Sequence, residues 1–355
     1  MFNKRLVYEI RPEKGNPRNS EGSFHRAKNG DILFAYSRYS GTSDHDHANC
    51  DIALLRSSDE GETWEFDGII AKASDFGVKN LMSVSSLVQK DSSLSFYFLI
   101  KENDGTSTIG RCISKDGIKF APEDAERCNF LAKKGYYVVN NDRISRLSDG
   151  RIIFPASYYY LTEAGYPPAK ATILVSYDDG KTIEDGGFYL ESAHTINSKR
   201  GLQEPGAIET DDGIYMWFRT NYGCQYESRC EGLSFNFSTP LPSIFTSPMS
   251  PMQIKRIDGV YYSIYNPIPL YNGREFYPGT HGRDPIVIRK SLDGVDFGPI
   301  NVIDGGDERR GYCYPAIFKT NDECLLIAYC RGDVFIDGGL LDSTGIVKLK
   351  IASIE

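Results

Sequence analysis

The chain has 355 residues, among them 34 glycines, 17 prolines, 23 tyrosines and 19 phenylalanines, and its sequence shows no long apolar helical pattern. This composition is typical of many short strands joined by turns. The net charge of −8 and the isoelectric point near 5.3 argue against nucleic acid or an anionic membrane as a partner, because phosphate binding needs a basic face.

Features of the whole chain predict a cytoplasmic protein without a cofactor. No apolar run approaches the length of a membrane span, and the first residues lack the pattern of a signal peptide. The eight cysteines show no CxxC spacing and are predicted to be reduced. The stretch DHDH over residues 44–47 has no further ligand at metal spacing, so we predict no metal site. The sequence leaves the oligomeric state open.

A turn followed by a short β-branched and aromatic run recurs along the chain. The six copies begin at Asn29, Asp91, Ser148, Asp211, Ile257 and Asn321. Each predicts a buried inner strand, and six units leave room for about four strands of ordinary length per unit. We therefore predict one all-β domain over residues 1–355, a six-bladed β-propeller of four-stranded antiparallel blades.

A second repeat, SSDEGETWE over residues 57–65, combines strand alternation with turn residues. Asp59 can accept hydrogen bonds from the backbone amides of its own turn, and Gly61 tolerates positive φ. Related stretches begin at Ser114, Ser176 and Ser291, with an eroded copy at Ser228. The pattern predicts a hairpin that fastens each blade.

Residues at the ends of the inner strands of a propeller face a common pocket. Charged and tyrosine side chains occur at such places in this chain: Glu21, Asp142, Arg143, Glu204, Arg219, Arg283, Tyr312 and Tyr314. Taken singly, an arginine at a strand end is more often a surface ion-pair residue. Arginines that converge would bind a small anion despite the negative net charge, because the guanidinium fork matches a carboxylate.

The hairpin repeats resemble the Asp-boxes, or bacterial neuraminidase repeats, of the sialidase superfamily. The sixfold pattern resembles the six-bladed propeller of that superfamily over nearly the whole chain. In the family the boxes are structural and lie away from the active site. The resemblance implies a glycoside hydrolase, an exo-α-sialidase-like enzyme that hydrolyses a terminal sialic acid or a related acidic sugar from a glycan.

Three segments carry the functional resemblance. EPGAIETDDGIYMWFR resembles the family segment with the catalytic glutamate and the second arginine of a carboxylate-binding triad, which implies Glu204 and Arg219. RDPIVIRKSLDG implies the third triad arginine, Arg283. YPAIFKTNDECLLIAY implies Tyr314 as the nucleophile, with Tyr312 as the alternative. A neutral tyrosine polarised by a glutamate avoids the repulsion between a carboxylate nucleophile and the substrate carboxylate.

The family's general acid is an aspartate on the loop before the first box. DHDHANCDIALLRSSDEG offers Asp44, Asp46 and Asp51. We favour Asp46, because Asp51 opens a strand and Asp44 lies farther out.

The chain departs from the family at the first triad arginine. In NSEGSFHRAKNGDI, Ser20 or Glu21 stands where that arginine is expected. Either Arg18 or Arg143 replaces it, or the ligand is not an ordinary sialic acid. Glu21 would repel a substrate carboxylate but would accept sugar hydroxyls.

Two alternatives stay open. One is a glycoside hydrolase for a different sugar, in which carboxylates such as Asp142 and Glu204 act as general acid and base. The other is a carbohydrate-binding propeller without catalysis.

Overall fold

The computed structural model describes residues 2–163, 165–192, 200–269, 282–307, 309–333 and 339–355. Within these ranges the chain consists of β-strands, connecting loops and short 3-10 helices at Ala73–Phe76, Pro122–Asp124, Gly339–Leu341 and Ile351–Ser353. The prediction of an all-β protein is confirmed. No helix in the described ranges is long and apolar enough to cross a membrane.

In the described part of the chain, twenty-six strands follow one another. The first thirteen are β1 (Lys4–Ile10), β2 (Asn19–Arg26), β3 (Ile32–Tyr39), β4 (Cys50–Ser57), β5 (Glu65–Ala71), β6 (Asn80–Val88), β7 (Leu94–Asn103), β8 (Thr106–Ser114), β9 (Ala125–Arg127), β10 (Asn129–Phe130), β11 (Tyr136–Val139), β12 (Ser145–Arg146) and β13 (Ile152–Tyr159). The others are β14 (Lys170–Ser176), β15 (Thr182–Asp185), β16 (Gln203–Thr210), β17 (Gly213–Arg219), β18 (Cys224–Glu231), β19 (Leu241–Thr246), β20 (Gln253–Ile257), β21 (Val260–Tyr265), β22 (Ile286–Ser291), β23 (Asn301–Asp304), β24 (Cys313–Lys319), β25 (Cys324–Cys330) and β26 (Thr344–Lys350).

Hydrogen bonds connect the strands of the described residues into five sheets. Three sheets have four strands: β16 to β19, β20 to β23, and β24 to β26 completed by β1. β1 pairs antiparallel with β26, which joins the two ends of the chain in one sheet. A six-stranded sheet contains β10 to β15, and an eight-stranded sheet contains β2 to β9.

The predicted six separate four-stranded blades are therefore not what the hydrogen bonding shows. In the eight-stranded sheet, two groups, β2 to β5 and β6 to β9, are joined by a single parallel bridge between Cys50 and Asn80. In the six-stranded sheet, β10 pairs in parallel with β15. The structure shows a propeller-like arrangement of small sheets built mainly from antiparallel strand pairs.

The hydrophobic core lies between neighbouring sheets. Phe34 and Leu55 on β3 and β4 pack in one buried cluster with Ala316 and Leu326 on β24 and β25. The innermost strands also contact each other, since β2 contacts both β6 and β24, and β20 contacts both β16 and β24. This packing brings strands from distant parts of the chain around a common axis.

Four innermost strands, β2, β6, β16 and β24, are interrupted by an irregularity in their pairing. At each irregularity one non-glycine residue has positive φ: Glu21 (58°), Ser83 (61°), Glu204 (43°) and Tyr314 (54°). Asp142, which follows β11, has φ of 56°. Such a bulge re-aims one side chain out of the strand pleat, and strained backbone of this kind occurs preferentially at functional sites.

The predicted hairpin fastener is present as described for residues 57–65. Asp59 Oδ1 accepts hydrogen bonds from Ser57 Oγ (2.8 Å) and from the Thr63 amide (2.9 Å). The equivalent aspartates accept a bond from the serine of their own box: Asp116, Asp178 and Asp293. In the eroded copy, Ser228 Oγ instead donates to Ser238 O at 2.6 Å. The boxes therefore brace turns and belong to the scaffold.

Candidate active site

A pocket of about 310 Å³ opens where the bulged strands meet. Polar side chains in its lining include Glu21, Asp46, Ser83, Lys101, Glu204 and Tyr314. Aromatic side chains in the lining include His47, Tyr136, Tyr159 and Tyr166. All four bulge residues with positive φ are thus in the lining, as is the predicted acid.

Tyr314, Glu204 and Arg219 form a hydrogen-bonded chain. Tyr314 Oη donates to Glu204 Oε1 at 2.9 Å, and Arg219 Nη1 donates to Glu204 Oε2 at 2.6 Å. The side chains of Glu204 and Arg219 are each 11% exposed. Burial, reinforced by the negative charge of Glu204, raises the pKa of Tyr314 well above its usual value. Tyr314 is therefore a neutral phenol whose proton points at a carboxylate.

Arg219 remains a cation in this buried position. Burial alone would lower its pKa, but the Glu204 carboxylate and Tyr314 outweigh that effect and raise it. The local hairpin explains the pairing, because β16 and β17 are antiparallel neighbours and Gln203 lies opposite Arg219. The glutamate and arginine of one sequence motif therefore meet at one end of one hairpin.

Arg18 lies between two carboxylates, Glu21 at the bulge of β2 and Asp46 on the loop before β4. Its Nη1 donates to Asp46 Oδ1 at 2.6 Å, and its Nη2 donates to Glu21 Oε1 at 3.2 Å. The guanidinium carbon lies 4.4 Å from the ring centre of Tyr39, and Arg18 is only 2% exposed. Lys101 Nζ donates to the backbone carbonyl of Asp46. This network fixes the loop that carries the predicted acid.

Asp46 and Glu21 experience opposite electrostatic effects. Desolvation would raise the pKa of Asp46, but the attraction and hydrogen bond of Arg18 are stronger and lower it. The Asp46 side chain is still 59% exposed. Burial raises the pKa of Glu21, which is 4% exposed and accepts a hydrogen bond from Ser83 Oγ at 2.8 Å. The free protein thus holds Asp46 ionised, whereas Glu21 ionises less readily.

Four of the predicted site residues do not line the pocket: Asp142, Arg143, Arg219 and Arg283. Asp142 accepts hydrogen bonds from Ser23 Oγ (2.8 Å), Lys255 Nζ (2.9 Å) and the Ile317 amide (3.2 Å). These partners come from three different sheets, so Asp142 links the innermost strands. The structure therefore places Asp142 as a scaffold residue and does not bring it to the pocket with Glu204.

Arg143 is also bound by the protein itself. It is 4% exposed, donates to the backbone carbonyl of Met252 at 2.5 Å and stacks on Trp217 with 5.4 Å between its guanidinium carbon and the ring centre. Burial lowers its pKa to about 10. Its contacts with a backbone carbonyl and an indole leave it poorly placed to replace the missing triad arginine.

Arg283 and the two candidate tyrosines lie on adjacent segments. Arg283 Nη1 donates to Cys313 Sγ at 3.3 Å, next to Tyr314 in sequence. Burial would raise the pKa of the Cys313 thiol, but Cys330 and Arg283 lower it. Tyr312 is 1% exposed and belongs to a buried apolar cluster. The geometry therefore favours Tyr314 over Tyr312 as the tyrosine in the pocket.

Several lining residues were not among those predicted from the sequence. Ser83 could have been found from the repeat, since it lies 62 residues after Glu21 at the equivalent bulge. Tyr136 and Tyr159 lie on β11 and β13, Tyr166 lies in the loop that follows β13, and their ring centres are about 6 Å apart. No group of three or more metal-binding side chains occurs in the described part of the chain.

The fold and the boxes define the class of protein. Residues 30–336 match the family model described as the BNR repeat-like domain, and the chain belongs to that family. A search of curated proteins found no match.

Solved structures agree on the fold. The NanB sialidase of Streptococcus pneumoniae, as its K499G mutant, superimposes with a TM-score of 0.68 at 14% identity, over 99% of this chain and 71% of that one. The intramolecular trans-sialidase of Ruminococcus gnavus gives 0.67 at 12% identity, over 98% and 97%. A protein of unknown function from Dyadobacter fermentans gives 0.65 at 15% identity, over 98% and 99%. The chain therefore has the fold of sialidases.

Proposed function

We infer that this protein is a glycoside hydrolase that releases a terminal sialic acid or a related acidic sugar from a glycan. The observation that carries this inference is the hydrogen-bonded chain that runs from Tyr314 through Glu204, both in the pocket lining, to the buried Arg219 behind them. The sheet arrangement supports a single six-bladed propeller as its scaffold, because the eight-stranded sheet divides into two groups at one bridge.

Tyr314 is suited to attack an anomeric carbon that bears a carboxylate. Its phenol is neutral, so it approaches without the repulsion that a carboxylate nucleophile would meet. Glu204 accepts the phenol proton as the bond from Tyr314 Oη to the anomeric carbon forms and the bond from that carbon to the departing glycan oxygen breaks. Water then attacks the anomeric carbon, the bond from that carbon to Tyr314 Oη breaks, and Glu204 returns its proton to the phenol oxygen. Arg219 donates to the other oxygen of Glu204 and adds positive charge beside the substrate.

Asp46 is the candidate to protonate the departing oxygen. It is exposed in the pocket mouth beside Arg18, where a leaving group can reach it. Its lowered pKa opposes this role in the free protein, but a bound glycan displaces water from Asp46 and thereby favours the protonated carboxyl. Asp46 would take back a proton from the attacking water in the second step.

A different substrate is favoured by one observation. Three carboxylates, Glu21, Asp46 and Glu204, are in the pocket lining. Such a lining suits the hydroxyl groups of an uncharged sugar, so a glycosidase for a neutral sugar is the second candidate. Pairing of Asp142 with Glu204 is not part of that candidate, since Asp142 is outside the pocket lining and is held by Ser23 and Lys255.

A panel of aryl glycosides tests the proposal, with an α-sialoside, a uronide and neutral hexosides compared on the wild-type chain. We expect turnover of the acidic glycosides. Turnover of neutral hexosides alone would favour the second candidate, and sugar binding without any turnover would favour a carbohydrate-binding propeller.

Arginine variants then test whether Arg219 and Arg283 bind the carboxylate of the sugar. Arg219→Ala or Arg283→Ala should weaken binding of an acidic sugar by at least about 2 kcal/mol, because a charge-assisted hydrogen bond is lost in a partly desolvated pocket. Arg256→Ala is the matched control, since Arg256 pairs with the exposed Asp211 at 2.8 Å outside the pocket. Equal affinity of the wild-type chain for a sugar acid and its amide would refute binding of the carboxylate by these arginines.

A further inference from the structure

Glu21 reverses the charge expected at one place in the pocket. The resemblance predicted an arginine at this bulge, and the structure presents a carboxylate there at positive φ. The protein holds the Glu21 carboxylate in place, because Arg18 and Ser83 each donate to a different oxygen of Glu21, at 3.2 Å and 2.8 Å. A group held in this way stays aimed at the pocket when a ligand enters.

The neighbouring cation does not restore the expected positive site. Arg18 directs one nitrogen at Glu21 and another at Asp46, and it packs against the ring of Tyr39. Its charge is thus shared between two carboxylates within the protein. A substrate carboxylate placed here would compete for Arg18 and would meet two like charges at short range.

A hydrogen-bond donor fits the same place well. Each oxygen of a carboxylate has two lone pairs, and the described contacts occupy one on each Glu21 oxygen. A hydroxyl or ammonium group of a sugar would donate to the remaining lone pairs without displacing Arg18 or Ser83.

We propose that Glu21 is a specificity-determining residue that accepts a hydrogen bond from a hydroxyl or ammonium group of the sugar and excludes a carboxylate from this side of the pocket. This inference rests on the proposed function and narrows it. The acid group of the substrate binds toward Arg219 and Arg283, and the polyhydroxylated face binds toward Glu21.

Calorimetric binding tests this without requiring turnover. The probes are N-acetylneuraminic acid and its C1 amide, and the measured quantity is the ratio of their dissociation constants. Glu21→Gln keeps the shape and removes the charge, so it should shift the ratio at least about tenfold in favour of the acid, equivalent to about 1.4 kcal/mol. Arg219→Ala should shift the ratio in the opposite direction.

Two further variants separate charge from structure. Ser83→Ala removes one hydrogen bond to Glu21 without changing its charge, so the ratio should stay within about threefold of the wild type. Glu126→Gln is the matched control, because Glu126 pairs with Arg111 at 2.7 Å and is 52% exposed outside the pocket.

The outcomes distinguish this inference from the proposed function. An unchanged ratio in Glu21→Gln, with normal folding by circular dichroism, would overturn the role of Glu21 even if the chain hydrolyses sialosides. A tenfold shift in a chain that hydrolyses nothing would support the role of Glu21 and refute the proposed hydrolysis. Failure of both probes to bind any variant at millimolar concentration would overturn the ligand class.

Discussion

Replacing Tyr314 with phenylalanine removes one oxygen from the pocket and leaves the ring in place. The lost oxygen donates to Glu204 at 2.9 Å, and Arg219 still holds the other oxygen of that glutamate. A hydrogen bond to a charged group contributes about 1.5–3 kcal/mol, and we expect the lower value because water can enter the pocket. The melting temperature should fall by only about 3 °C.

Catalysis should respond far more strongly than stability. Without the nucleophile, turnover should fall at least about 1,000-fold, which corresponds to about 4 kcal/mol in the activation barrier. The dissociation constant of a sugar acid should change by less than about threefold, since the ring still fills the same space. Stopped assays with an aryl sialoside and calorimetry with the free sugar measure the two quantities separately.

Tyr159→Phe is the matched control for this experiment. Its hydroxyl accepts a hydrogen bond from Gln203 at 2.8 Å in the same pocket, but it has no part in the proposed reaction. Its turnover should stay within about threefold of the wild type. Retention of more than about a tenth of wild-type turnover in Tyr314→Phe would refute the nucleophile assignment.

Three other changes have equally definite outcomes. Asp46→Asn should reduce turnover of a natural glycan far more than that of an activated aryl glycoside, because a good leaving group needs little protonation; equal losses in both assays would argue against an acid role. Gly180→Ala should lower the free energy of unfolding in urea by more than about 2 kcal/mol, since its new Cβ would lie 1.9 Å from the Tyr97 hydroxyl. Gly187→Ala, with nearly the same positive φ and open space around it, measures the backbone strain alone. A similar loss of stability in both variants would contradict the packing explanation. Folding raises the pKa of Glu21 above its unfolded value of about 4.3, so the ionisation of Glu21 opposes folding as pH rises. The melting temperature of Glu21→Gln, measured relative to the wild type, should therefore increase between about pH 4 and 7. A constant difference in melting temperature would show that the folded pKa is not raised.

Local patterns in the sequence predicted the parts of the site that lie on one hairpin. Glu204 and Arg219 meet because β16 and β17 are adjacent antiparallel strands, so their separation in the motif already implies proximity. Tyr314 lies 110 residues from Glu204, and only the resemblance connected them. Sequence reasoning assigned Asp142 and Arg143 to the pocket because both follow a strand, whereas the direction of their side chains depends on distant partners.

The number of sheets was less predictable than the number of units. The repeat marks six similar stretches, but a single bridge between Cys50 and Asn80 merges two groups of strands into one sheet. Such a bridge depends on how neighbouring groups pack, which no local pattern records. Arg18 illustrates the same difficulty, since a charged residue that is 2% exposed is unusual and its two carboxylate partners lie on separate loops and strands.

The bulges separate the choice of side chain from the choice of fold. At Glu21, Ser83, Glu204 and Tyr314 the backbone bends in the same way, although one residue is a hydroxyl, two are acids and one is a phenol. The strand pairing around each position sets the direction of its side chain. The positive φ that this requires costs about 1–2 kcal/mol for a non-glycine residue. A propeller of this kind can therefore acquire a new substrate through single substitutions at these bulge positions, while the hairpins that stabilise its sheets stay unchanged.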